Sequence, residues 1–152
     1  MIDKQRLRDQ LSKHEGRRKY VYDDASGKAI GEGCFVRGLP TVGVGRNLYD
    51  RGLSDDEIDY LLDNDINDCL HDASQLSFFS SLDPVRKAAV VELVFNLGLT
   101  RLKGFKKFLG FMLEQRWAQA SAELKDSNWY RQVGEGRGDT IRHMIETGTW
   151  KG

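Results

Sequence analysis

Cysteine and proline are scarce, at two residues each in a chain of 152, and neither sign of charge is in excess, with Lys+Arg and Asp+Glu both at 23. Cys34 and Cys69 cannot make the bridge framework that holds small secreted domains, so free thiols are expected. No apolar run approaches the roughly 18 residues of a membrane span, and Met1-Ile2-Asp3-Lys4-Gln5-Arg6 lacks the apolar core of a signal peptide. The absence of net positive charge excludes the global field that advertises a nucleic-acid partner. What is present is ordinary for a globular chain: 39% hydrophobic residues and 16 glycines, enough for a core and against disorder. The length argues for one domain.

The zero charge conceals a pattern. Residues 1–20 carry seven bases and three acids, residues 21–49 three of each, residues 50–82 one base and nine acids, and residues 83–152 twelve bases and eight acids. An acidic side and basic surface elsewhere could meet an anionic polymer, although solvated helix faces explain such a pattern more simply.

Residues 2–14 place Ile2, Leu7 and Leu11 among charges at near-helical spacing, with a stop at Gly16 after His14-Glu15. The six glycines from Gly27 to Gly45, with Pro40 and the alternating Thr41-Val42-Gly43-Val44-Gly45, predict turns and a small β-sheet. Ser54-Asp55-Asp56-Glu57 has the form of a capping box. Ile58, Leu61, Leu62, Ile66, Cys69 and Leu70 continue it as a long amphipathic helix through His71. Asp83-Pro84 is a second helix start, and the all-round apolar stretch 85–97, closed by Gly98, predicts a buried central helix. Phe105, Phe108, Leu109 and Met112, then Trp117, Ala120 and Leu124, form further helical faces. A last helix is expected near residues 140–146, with Trp150 packing the tail down. Arg46 is expected to pair with Asp65.

The glycine stretch has neither Gly-Lys-Ser/Thr nor a Gly-x-Gly-x-x-Gly turn opening a helix, so no nucleotide site is indicated. His14, His71 and His143 have no metal-ligand spacing, and neither cysteine has an evident base partner. Carboxylates remain. Apolar packing at the end of the first helix could desolvate Glu15 and raise its pKa toward that of a general acid, whereas Asp24, nine residues on in polar sequence, would stay ionised. Two carboxyls in contrasting surroundings can divide acid and base work on a glycosidic bond, although such a pair alone is usually surface charge.

The run His14-Glu15-Gly16-Arg17-Arg18-Lys19-Tyr20-Val21-Tyr22-Asp23-Asp24, followed by Thr41-Val42-Gly43-Val44-Gly45-Arg46-Asn47, resembles the catalytic region of the phage-type lysozymes, the T-even phage lysozyme family of endolysins (glycoside hydrolase family 24). The likeness continues in order through residues 54–70, Val94-Phe95-Asn96-Leu97-Gly98, Arg116-Trp117, Trp129-Tyr130, Arg137 and Thr147-Gly148-Thr149-Trp150. The resemblance implies an α+β lysozyme-like fold in one domain over residues 1–152. A small β-sheet lobe (about 16–50) and a larger helical lobe (about 1–14 and 54–152) would be joined by the long helix from Ser54, with a cleft between them.

It also implies a muramidase that hydrolyses β-1,4 bonds between N-acetylmuramic acid and N-acetylglucosamine in peptidoglycan, by inverting general acid/base catalysis without metal or cofactor. Glu15, Asp24 and Thr41 match the family's triad, with Asp23 as a rival second acid one residue short in spacing and Thr41 open to a plain strand role. Phe95 and Asn96 match substrate-binding positions, with core packing and a helix-end hydrogen bond as their structural alternatives. Asn47, Phe108 and Glu123 occupy saccharide-contacting places with different residue types, and Arg137 matches a basic position. Sixteen residues separate Asp24 from Thr41, more than the family pattern has. Residues 30–39 read as inserted, either as a hairpin flap presenting Phe35 or as a solvent loop. The expected partner is peptidoglycan, with no nucleic acid, no stable membrane insertion and a monomeric state. The expected location is a host cytoplasm, with a holin opening the way to the wall. A lytic transglycosylase and a noncatalytic wall-binding module are the alternatives.

Overall fold

The computed structural model describes all 152 residues and divides into two compact units, Met1–Asp59 and Tyr60–Gly152. The first takes in the N-terminal helix together with the sheet, where the sequence-based boundaries group that helix with the later ones.

Helix α1 is Lys4–Glu15. The Asp3 carboxylate caps it by accepting from the Arg6 amide at 3.0 Å, satisfying one of the orphan donors of the first turn. Gly16 follows, its N–H returning to the Ser12 carbonyl at 3.0 Å, and the helix stops with Glu15 as its last residue. The chain enters strand β1, Arg18–Asp23, which pairs antiparallel with β2, Pro40–Gly43. Tyr22 lies opposite Thr41 and Asp23 opposite Pro40, and β2 in turn pairs with β3, Arg46–Asn47, with Thr41 opposite Asn47. Thr41 therefore sits on the middle strand of a three-stranded sheet.

The sheet differs from the expectation of strands spread over residues 27–45. Its first strand lies earlier, in Arg-Lys-Tyr-Val-Tyr-Asp, and between Asp23 and Pro40 the only ladder contact is a single bridge from Tyr22 to Ala29. Residues 24–39 are an excursion of turns rather than a hairpin flap: Lys28 and Ile30 bond the β1 backbone around that bridge, and the returning residues 37–39 are met by the carboxylates of Asp23 and Asp24.

Helix α2, Asp55–Ala73, starts at the predicted capping box. The Ser54 hydroxyl oxygen accepts from the Glu57 amide at 3.3 Å, and Glu57 Oε1 accepts from the Ser54 amide at 3.2 Å. Arg46 forms its ion pair with Glu57, correcting the expected pairing with Asp65, and it also donates to the Gly52 carbonyl at 3.3 Å. A nearer acceptor, already aligned by the cap, takes the guanidinium.

In the second unit α3, Pro84–Leu97, is capped by Asp83 with Pro84 in its first turn, and it buries Ala89, Val90, Val91, Leu93, Val94 and Leu97. The predicted central helix is present, but its burial is one-sided: Ala89, Val90, Leu93, Val94 and Leu97 are buried while Pro84, Phe95 and Asn96 are exposed, which corrects the expectation of an all-round apolar helix. Helices α4 (Leu99–Lys103), α5 (Lys106–Leu113) and α6 (Trp117–Lys125) follow, contributing Leu102, Phe108, Met112, Ala120 and Leu124 to the core. Helix α7 runs from Asn128 to Thr147, much longer than the predicted 140–146, with a non-helical kink at Gly134. It buries Trp129, Ile141, Met144 and Ile145.

Arg86 ties α3 to the end of α7. Its guanidinium donates to the carbonyls of Ile145 (2.7 Å) and Glu146 (2.9 Å), pairs with Asp83 at 2.9 Å, and stacks 4.1 Å from the Trp117 ring. A planar fork meets several acceptors at once here, which an ammonium could not do. Trp150 is exposed rather than packed, so the tail is held at the Thr147 and Thr149 hydroxyls, 2.7 Å apart, and not by the indole. Both cysteines are free, Cys34 exposed and Cys69 packed against the core. No helix is long and apolar enough to cross a membrane.

Candidate active site

All three of the predicted triad residues lie in the first unit, where Asp24 and Thr41 meet at one backbone residue and Glu15 lies beside the β2–β3 turn. Glu15 ends α1 with its carboxyl exposed, which corrects the expectation that apolar packing would cover it. The β2–β3 turn comes up beside it: a β-carbon built on Gly45 would lie 3.4 Å from Glu15 Oε2. Gly45 also has φ of +71°, a conformation costly for other residues, so the backbone of this turn favours glycine.

Asp24 and Thr41 meet at one residue's backbone. The Leu39 amide donates to Asp24 Oδ1 at 2.7 Å, while the Leu39 carbonyl accepts the Thr41 hydroxyl at 2.9 Å and the Asp24 amide at 3.2 Å. Asp24 is exposed and Thr41 only 4% exposed. No hydrogen bond engages the second carboxylate oxygen of Asp24, and the Thr41 hydroxyl, its proton committed to Leu39, has lone pairs left to accept.

The rival acid, Asp23, is in a different situation. It is 3% exposed, and its carboxylate accepts three backbone amides: Arg37 on Oδ2 at 2.8 Å, and Gly38 and Ala25 on Oδ1, each at 2.9 Å. The Arg37 amide, with those of Ala25 and Gly38, holds the carboxyl below its ordinary range against the opposing effect of burial. Sequence reasoning treats this residue only as a competitor for catalysis. A signal for its other role lies in the run Asp23-Asp24-Ala25-Ser26-Gly27, where an aspartate leading a string of turn residues can bond the amide two residues on and form an Asx-turn.

Asn47 lies on β3 and is occupied locally: its amide nitrogen donates to Asp50 Oδ2 at 3.1 Å and its oxygen accepts the Asp50 amide at 3.0 Å. The remaining candidates belong to the second unit and fall in separate places. Phe95, 47% exposed, and Arg137 line an apolar concavity of about 630 Å³ together with Leu62, Ile66, Leu70 and Val91. Arg137 is engaged there by Glu92 at 3.0 Å. Phe108 and Glu123 line a second concavity of about 440 Å³, but Phe108 is 2% exposed and serves first as core. Asn96 accepts the buried Trp129 indole N–H at 2.9 Å, so its carbonyl oxygen closes a core hydrogen bond and only its NH₂ remains for a ligand.

A helix closing on a carboxylate, a small antiparallel sheet next in the chain, and then a long helix leading into a helical array define an α+β protein of the lysozyme-like class. The model of the phage lysozyme family matches residues 12–144, and the chain belongs to that family. It is similar over 95% of its length to "Probable T4-type lysozyme 2" of Dictyostelium discoideum, at 28% identity over 164 aligned positions that take in 96% of that protein. "Probable T4-type lysozyme 1" of the same organism is 36% identical over 73 residues, 48% of this chain and 42% of that protein.

Proposed function

We propose that this protein is a muramidase that hydrolyses the β-1,4 bond between N-acetylmuramic acid and N-acetylglucosamine in peptidoglycan. The observation that carries this reading is the shared Leu39 backbone, which anchors one oxygen of Asp24 and the proton of Thr41 and leaves an anionic oxygen and a hydroxyl acceptor free. Such a pair can hold a water by both of its protons and draw one away as the water attacks. Glu15 is the proton donor to the leaving sugar oxygen. Its carboxyl is exposed in the free chain and so open to the glycan.

Water attacking the face opposite the acid inverts the anomeric carbon, which needs carboxyl groups roughly 6.5 to 9.5 Å apart. Asp23 takes no part in that chemistry, since its carboxylate is committed to three amides. Saccharide contacts are assigned to Phe95, Asn96, Asn47, Phe108, Glu123 and Arg137, with exposed Phe95 and the unbonded Asn96 NH₂ the first to be tested. In its biological setting the enzyme is an endolysin, waiting in a host cytoplasm as a monomer until a holin opens the way to the wall.

Digestion of purified peptidoglycan followed by mass analysis of the product ends tests the activity. Reducing muramic ends support hydrolysis, anhydro ends indicate a transglycosylase, and intact strands indicate a wall-binding module. Expression in a bacterium with and without a holin tests the lytic role, which requires lysis only when both are present.

A further inference from the structure

We propose that Asp23 is a positioning residue for the candidate Asp24–Thr41 pair, acting through the inserted segment by clamping the Arg37 and Gly38 amides so that Leu39 is held where both site residues bond to it. The proposal rests on the muramidase reading for its effect on turnover but not for its effect on the loop.

Leu39 meets Asp24 and Thr41 through both its N–H and its carbonyl. The two residues before it donate their amides to one buried carboxylate, on both of its oxygens. The third amide, that of Ala25, fixes the opposite end of the excursion to the same group. Fourteen and fifteen residues of sequence are thereby closed onto a single side chain. Between the clamped ends, residues 28–36 pair with the sheet only around the Tyr22–Ala29 bridge, so the carboxylate is what holds residues 37 and 38 just before the chain joins the β1–β2 ladder at Leu39 and Pro40. Gly38 completes the fit: a β-carbon there would come within 2.1 Å of Asp24 Oδ1 and 2.8 Å of Ala25, so the backbone approaches Asp24 as closely as it does only because no side chain intervenes. The insertion thus acts as a brace under the pair rather than a loose loop beside it.

Asp23→Asn keeps the shape but turns one acceptor oxygen into a donor facing an amide N–H, and Asp23→Ala removes both acceptors. Three measurements on the full chain are needed for each: thermal melting, kcat and KM on peptidoglycan fragments, and hydrogen exchange of the Leu39 amide. The expected result for Asp23→Asn is a kcat lowered about tenfold or more with KM within about twofold, per folded molecule, and faster exchange at Leu39. Asp23→Ala should lose more than Asp23→Asn. Arg37→Pro, which removes one amide from the clamp without altering Asp23, Asp24 or Thr41, should lower kcat and speed Leu39 exchange in the same way, and it decides the matter if the Asp23 variants do not fold.

A wild-type kcat in Asp23→Asn, or a lowered kcat with Leu39 exchange unchanged, overturns the proposal. So does a loss confined to melting temperature, since a purely structural aspartate would leave kcat per folded molecule alone. If the unaltered protein cleaves no peptidoglycan, the muramidase reading fails by itself, and Leu39 exchange together with NMR titration of the Asp24 carboxyl still decides whether Asp23 holds the loop.

Discussion

The two compact units bury opposite kinds of side chain. In Met1–Asp59 the buried side chains are Asp23 and Thr41, both polar and both bonded to the same short backbone segment, residues 37–39; in Tyr60–Gly152 they are twenty apolar residues and Ser121. The second unit is held by area removed from water, each fully buried aliphatic or aromatic side chain contributing about 1.5 to 3 kcal/mol, a force without direction. In the first, the buried groups act through hydrogen bonds, each weaker in net stability at about 0.5 to 1.5 kcal/mol but fixed in angle and distance. Directional bonds are suited to aiming a carboxylate, and non-directional packing to supplying stability. The contrast separates sites whose loss should be felt in chemistry from sites whose loss should be felt in unfolding.

The largest expected effect tests the first half of that separation. Glu15→Gln keeps the shape and removes the proton donor, so the rate on purified peptidoglycan should fall by at least ~10² while the melting temperature stays unchanged, because the side chain is exposed. A variant that keeps most of its rate would place the acid elsewhere. Leu93→Ala tests the second half. Leu93 is fully buried in α3, and truncation should cost about 2 to 5 kcal/mol in denaturant unfolding, with the rate per folded molecule preserved. A cost under about 1 kcal/mol would mean that the core collapses around the change and carries less than its burial suggests.

Acid should blur the difference. Three buried or partly buried carboxylates sit below the ordinary value of 3.8. Asp23 is lowered by the Arg37 amide first, then those of Ala25 and Gly38. Burial pushes Asp83 up, but the Arg86 amide and guanidinium together outweigh it, and Asp139 is lowered by the Tyr130 hydroxyl and Arg142. A carboxylate whose folded pKa is depressed contributes stability that is full above its unfolded value and is lost as pH falls through the folded one. Unfolding free energy should accordingly hold steady at neutral pH and decline below about pH 4. Asp139→Asn should flatten that decline, and a stability curve equally steep in the variant would show that Asp139 does not contribute to it.

The smallest effect sharpens the comparison at its one exception. The Ser121 hydroxyl is buried in the apolar unit with no hydrogen-bond partner. Ser121→Ala removes an unsatisfied group at little cost in volume and should stabilise the protein by about 1 kcal/mol, read from the denaturant midpoint. Destabilisation would show that the hydroxyl is satisfied in solution.

Elements announced by neighbouring residues are legible in the sequence. Ser54 with Glu57, and Asp83 with Pro84, start helices because cap and partner lie within one turn of each other. The apolar run Ala88 to Val91 with Leu93 and Val94 likewise marks α3 as a core helix without knowledge of what packs on it, although not which face stays open. Strand β1 escapes the pattern because its charged and aromatic residues directly follow a helix stop, while the alternation in residues 41–45 draws the sheet too late. Helix α7 is cut short in the sequence reading because Gly134, Gly136 and Gly138 look like breakers. A kink absorbs the first, and the third lies against the Tyr130 ring, where a β-carbon would come within 2.4 Å. Charge pattern assigns Arg46 to Asp65, whereas the fold brings it to the capping-box glutamate.

The candidate site divides along the same line. The residue types and order of Glu15, Asp24 and Thr41, and the family to which the chain belongs, are written in the sequence, because they depend on identity and spacing along one chain. Spacing along the chain favours Asp24 over its neighbour Asp23, but it does not say what either carboxylate bonds to. One carboxylate turns inward to take three amides and the other keeps an oxygen unbonded, and this choice is made by Arg37, Gly38 and Leu39, which lie fourteen or fifteen residues away and become neighbours only when residues 24–39 fold back on β1.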